Sequence, residues 1–216
     1  MTKYRLSRSI SLPERVLVLC EGESEKVYLS GYKNEDANRR RLSRVEIEIY
    51  QPKDFSPLGL LKEARKKLRE AKKDRYPYKS VWIVFDRDQH ANIPQTIHEA
   101  NTSDPVINVA FSLVCFEYWI LLHFERSRKL YNNCEQIKKT VEKNYLPNYA
   151  KTMNFYPLIK SAINTALENA AWLHQQNQPD INNGVSLINL QAYTSFDRLI
   201  RHLDEIKNEK WLLPVF

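Results

Sequence analysis

Four carboxylates at the ends of two short apolar runs are the residues best placed to do chemistry. The first run, Val16-Leu17-Val18-Leu19-Cys20, stops at Glu21-Gly22, and Glu25 follows one helical turn later. The second, Val81-Trp82-Ile83-Val84-Phe85, delivers Asp86-Arg87-Asp88. In an open α/β sheet, ligands gather outside the carboxyl ends of the strands. Two such strands bring Glu21, Glu25, Asp86 and Asp88 into one cleft, where the charges repel unless a cation holds them. A hard, all-oxygen set of this kind suits Mg²⁺ or Mn²⁺. Asp86 and Asp88 share a face if the backbone stays extended, so the pair can bind one cation or clamp two across a phosphodiester.

Glu117 and His90 are the further candidates. Glu117 opens an almost wholly apolar stretch, Cys115–Phe124. A buried carboxylate there needs a cation or dedicated hydrogen bonds, and a helix N-terminus offers free N–H groups as an alternative partner. His90 is an accessory candidate, able to orient a water or contact a phosphate. His123 falls on a different helix face from Glu117 and reads as a packed core histidine.

The elements that position these groups follow from hydrophobic periodicity. Val16–Cys20, Val45–Tyr50, Val81–Phe85 and Val106–Phe111 read as strands. Helical patterns cover Ser24–Glu35, the stretch after Pro57, and Ile93–Ala100. Strands alternating with helices predict βαβ units and a mostly parallel four-stranded sheet with flanking helices. Beyond it the chain reads as helical: Cys115–Phe124, Gln136–Lys143, a helix opened by Pro157, and Thr194–Lys207, with Gln175–Gly184 as a polar loop. The division is a basic arm (1–14), an α/β core (15–112) and a helical extension (113–216) packed on the same core.

The 216 residues are 43% hydrophobic, enough for one domain of ordinary size. Only four glycines occur, and no Gly-rich phosphate loop is present. The formal charge of +7 is concentrated: residues 39–79 hold fourteen Lys/Arg against six Asp/Glu, a net +8. That stretch includes Arg39, Arg40, Arg41 and Arg44, then Lys62, Arg65, Lys66, Arg69 and Lys73 at helical positions. Such an imbalance favours a polyanion; a solvated basic face is the alternative. Cys20, Cys115 and Cys134 lack CxxC spacing and indicate neither a disulfide framework nor a zinc site. No apolar run approaches a membrane span or a signal peptide, so a soluble cytoplasmic protein with no membrane partner is expected.

Strand-Glu21-Gly22-x-x-Glu25 followed by strand-Asp86-x-Asp88 resembles the TOPRIM fold of topoisomerases, bacterial primases and OLD nucleases. The blocks Val81–His90 and Cys115–Glu125, the latter reading CFEYWILLHFE, look like the RloB family of small TOPRIM-like proteins. Where RloB proteins usually carry Asn-Pro before Cys-Phe-Glu, this chain has Leu113-Val114. The resemblance implies a Mg²⁺-dependent nuclease in phage defence, often paired with an ABC-type ATPase. It makes Glu21, Asp86 and Asp88 catalytic, with Glu25 or Glu117 completing the metal set. Two other functions remain open: a non-catalytic binding or regulatory subunit of an ATPase partner, and a TOPRIM nuclease that processes structured RNA.

Overall fold

The structure is a computed structural model that describes residues 12–43, 45–87, 90 and 92–209. Its centre is a parallel sheet of β1 (Glu14–Cys20), β2 (Val45–Tyr50), β3 (Ser80–Asp86) and β4 (Ile107–Ser112), in the order β2-β1-β3-β4. Crossovers run through α1 (Glu23–Asn34) and α2 (Asp36–Arg41), then α3 (Pro57–Lys73), then α4 (Ile93–Asn101). The rest of the chain adds α5 (Glu117–Leu122), α6 (Cys134–Asn144), α7 (Tyr156–Ile159), α8 (Ile163–Asn182) and α9 (Phe196–Glu209). This is the expected α/β class, with helices on both faces.

Strands covered on both sides read as continuous apolar runs, and β1 and β3 do. Val16, Val18 and Cys20, with Trp82 and Val84, face a layer containing α1 and α5 to α9. Leu17 and Leu19, with Val81, Ile83 and Phe85, face α3, α4 and the segment around Leu190 and Tyr193. Strand order reverses between β1 and β3, so the helices leaving their carboxyl ends diverge to opposite faces. In open α/β sheets such a switch in strand order is where ligands bind.

Tyr28 fixes α1, the helix that follows β1 at this point. Its ring meets Phe116, His123, Tyr156 and Phe196 edge-on at 5.8, 5.6, 5.2 and 5.5 Å. These contacts tie α1 to α5, α7 and α9. Trp119, fully buried, stands 6.1 Å from Tyr28 and 5.5 Å from Phe196. Trp119→Ala removes the largest side chain of this cluster and is expected to cost about 3–5 kcal/mol, read as a lowered midpoint in urea unfolding.

His123 is a core histidine, as expected. Its Nε2 lies 3.1 Å from the Tyr28 hydroxyl and its Nδ1 3.0 Å from the Trp119 carbonyl. Burial pulls its pKa down to about 4.

Two sequence expectations are corrected. Gln175–Gly184 is not a loop: α8 continues to Asn182 with Pro179 inside it. Buried contacts override local propensity there, because Asn177 donates to the Ala192 carbonyl at 2.7 Å while Arg128 holds Asn177 and Asp180. Cys115 and Cys134 are also not independent: they form a disulfide with Cα atoms 5.5 Å apart. Their separation of nineteen residues matches no local motif, so only the fold brings them together. Cys20 is the free, buried cysteine.

Candidate metal centre

Parallel pairing sets the geometry of the acids. Cys20 lies opposite Val84, and the next amide, Glu21 N–H, donates to the Val84 carbonyl at 3.0 Å. Glu21 therefore leaves β1 beside the end of β3. Its Oε2 accepts from the Asp86 amide at 2.8 Å, and its Oε1 lies 3.0 Å from His90 Nε2. Gln51, just past β2, donates to the Glu21 carbonyl at 2.6 Å. The turn after β1 is thus held from the ends of two neighbouring strands, β2 and β3.

Asp86 ends β3 on the side of Trp82 and Val84, toward α1 and α5. Its carboxyl sits well above the usual carboxylate range. Removal from water is the largest cause, followed by the charges of Glu25, Glu117 and Glu21; the Phe116 amide, donating to it, works in the opposite direction. Glu25, fully buried on the first turn of α1, is pushed up to about 8, again mainly by burial. Its own backbone N–H and Lys151 oppose the shift, while Glu117 and Glu21 reinforce it.

Gly22 makes room for this arrangement. A Cβ there would come within 2.6 Å of Glu25 Oε2. Gly22→Ala must therefore push the Glu25 carboxylate off its seat. The expected outcome is weaker Mn²⁺ binding with an unchanged fold, read by calorimetric titration and circular dichroism.

Glu117 opens α5 fully buried, and side-chain hydrogen bonds partner it. Ser24 Oγ and Tyr149 Oη each donate to Oε1 at 3.0 Å, and Lys151 Nζ approaches the same oxygen at 3.8 Å. Its Oε2 lies 3.1 Å from Cys134 Sγ. Sequence reasoning missed Ser24, Tyr149 and Lys151. Ser24 lies inside the Glu-Gly-x-x-Glu motif, but nothing marks a tyrosine over thirty residues downstream as its neighbour.

The structure therefore brings Glu21, Glu25, Asp86 and Glu117 into one another's electrostatic reach. Asp88 lies outside the described residues, as does Arg44. Among the described residues, the trio of donor atoms lying within 4.8 Å of one another is a different one: Cys115, Glu117 and Cys134. The carboxylates are neighbours, not a closed cage. That suits Mg²⁺, which is usually held by one or two carboxylates plus waters and substrate phosphates. Buried like charges whose protonation is raised are a donor set that a divalent cation would relieve.

The basic candidates divide into two groups. Ser56 caps α3 by accepting from the Gly59 amide at 3.1 Å, and Pro57 sits in its first turn. The buried face of α3 is Leu60, Leu61, Ala64 and Ala71, leaving Lys62, Lys66, Arg69 and Lys73 exposed. Lys62, Lys66 and Arg69 line a groove with Lys53 that begins at Tyr50, at the carboxyl end of β2. Arg65 is tied to Glu99 at 3.0 Å and Lys66 to Glu63 at 3.3 Å. Arg39, Arg40 and Arg41 are exposed on α2, before β2 begins. Because α1 runs about 18 Å back along the sheet, these arginines lie at the strands' amino end, away from the acids.

Among the described residues, no helix is long and apolar enough to cross a membrane. No curated protein matches the chain, and no solved structure matches it. A family model described as RloB-like protein matches residues 16–203, well over half of the sequence. The chain belongs to the RloB-like protein family.

Proposed function

We propose that this protein is a Mg²⁺-dependent nuclease that hydrolyses phosphodiester bonds, acting as an effector of bacterial phage defence beside an ABC-type ATPase. One observation carries the hydrolytic reading. At the point where strand order reverses, a buried Glu25 and a half-buried Asp86 stand among like charges, and Glu21 is locked against the Asp86 amide. Carboxyls perturbed by burial and by one another cluster at functional sites.

Asp86, Glu25 and Glu117, together with Asp88 two positions further along the sequence, are the residues that would hold the cation. When bound, Mg²⁺ polarises the phosphoryl oxygens and acidifies a coordinated water. Glu21 accepts the proton of the attacking water on a carboxylate whose orientation the Asp86 amide and His90 fix. His90, on the opposite oxygen, relays that proton outward. The α3 groove tracks the nucleic-acid backbone through Lys62, Lys66 and Arg69.

The test is a panel of single- and double-stranded DNA and RNA incubated with purified protein, alone and with its ATPase partner, in Mg²⁺, Mn²⁺ or chelator. Cleavage that chelator abolishes supports the reading; phage protection that survives Glu21→Gln overturns it. A non-catalytic subunit of an ATPase partner is the alternative, with Ser24, Tyr149 and Lys151 already partnering Glu117. It predicts binding without cleavage in every arm.

The groove gives a separate prediction. Each phosphate contact on duplex DNA contributes about 0.9 to the log–log salt slope. Lys62→Ala, Lys66→Ala and Arg69→Ala together should flatten that slope by roughly 2–3, measured by fluorescence anisotropy at several salt concentrations.

A further inference from the structure

We propose that Cys115, Cys134 and Glu117 form a thiolate–carboxylate site for a soft divalent cation, Zn²⁺, and that the disulfide is its oxidised, metal-free state. The three donor atoms lie within 4.8 Å of one another. Two sulfurs and one oxygen differ in kind from the all-oxygen set at the strand ends. Thiolate-rich sets select zinc over magnesium.

The surroundings are those of a built site. Ligating carboxylates are usually oriented by hydrogen bonds on their other atoms. Glu117 has this: Ser24 and Tyr149 fix Oε1 at 3.0 Å each, which leaves Oε2 facing Cys134 Sγ at 3.1 Å. The backbone brings the cysteines together without a local motif, holding their Cα atoms 5.5 Å apart. Cys115 is buried, whereas Cys134 is half-buried and lines an open cleft with Arg87, Tyr131, Asn132 and Asn133. That cleft is an entry path for the ion and for a water as fourth ligand. Glu117 is shared with the carboxylate group, so the two centres adjoin.

The interconversion balances. A phosphine reductant gives two electrons to the disulfide, two protons complete the thiols, and the phosphine leaves as its oxide with oxygen from water. Zinc binding then forms two Zn–S bonds and releases the two thiol protons.

Full-length protein, reduced with a phosphine under anaerobic conditions, is titrated with Co²⁺ as a spectroscopic stand-in and then with Zn²⁺. A thiolate-to-cobalt charge-transfer band should saturate at one equivalent and vanish as zinc displaces cobalt. The oxidised wild-type chain, a comparison that needs no substitution, should show no band. Cys134→Ser should lose it, and Tyr149→Phe should weaken zinc binding about 10- to 100-fold. Asp86→Asn should keep the band while losing Mn²⁺ binding, which separates this site from the nuclease reading. A reduced, folded wild type without the band overturns the proposal. So does a band retained in Cys134→Ser, or a disulfide that yields only when far-ultraviolet dichroism shows the chain unfolding.

Discussion

Asp86→Asn should lower Mg²⁺-dependent cleavage by roughly 10²–10⁴-fold, the several kcal/mol that loss of a cation-holding carboxylate represents. The same substitution should leave the metal-free protein at least as stable as wild type. Asn has the shape of Asp and keeps the backbone amide that donates to Glu21 at 2.8 Å. It also removes a carboxyl whose ionisation desolvation and the neighbouring acids disfavour. Activity and stability thus move apart, as expected where a site holds strain for function. Cleavage rates beside urea unfolding check both halves. If activity and stability fall together, Asp86 has only a structural role.

The second large effect is a pH dependence that a divalent cation abolishes. Glu25 has an ordinary value near 4.5 and is raised to about 8 in the fold. The folded chain therefore binds this proton more tightly than the unfolded chain. Its contribution to stability is complete below about pH 4.5 and is lost as pH rises toward 8. His123, lowered from 6.5 to about 4, works in the opposite sense: it destabilises the fold as pH falls through that range. The two oppose each other in acid, and above pH 6.5 the raised carboxyls of Glu25 and Asp86 remain in play. Metal-free protein should lose up to about 1.4 kcal/mol per pH unit for each of these carboxyls still protonated between pH 6.5 and 8. Mg²⁺ should restore much of it, and Glu25→Gln should flatten the profile. Thermal melts at several pH values, with chelator or with Mg²⁺, read all three. A profile that Mg²⁺ does not change would remove Glu25 from the metal set.

The parts of this design that the sequence reveals are those set by short-range pattern. Val16–Cys20 of β1 and Val81–Phe85 of β3 are apolar because both faces are covered there, and an acid directly after each run must emerge at the carboxyl end. The pairing of Glu21 with the Asp86 amide follows from that register. Long-range packing is not written locally. Tyr149 reaches Glu117 from the segment after α6, and Cys134 reaches Cys115 across nineteen positions, with no spacing to announce either contact. The polar stretch Gln175–Asn182 reads as a loop because its side chains suit one. It is helical because Asn177 and Asp180 find partners in Arg128 and the Ala192 carbonyl. Charge alone did not separate Arg39–Arg41 from the α3 groove. The direction of α1 does, by placing those arginines at the opposite end of the strands.

The claim beneath the rest is that acids distant in sequence converge on a divalent ion at the switch in strand order. Crystals grown or soaked with Mn²⁺ test it through anomalous scattering. The expected result is a peak at about 2.0–2.2 Å from a carboxylate oxygen of Asp86, with Glu25 or Glu21 in contact directly or through water. A map with no peak there at saturating Mn²⁺, in crystals whose Asp86 is ordered, would contradict the account.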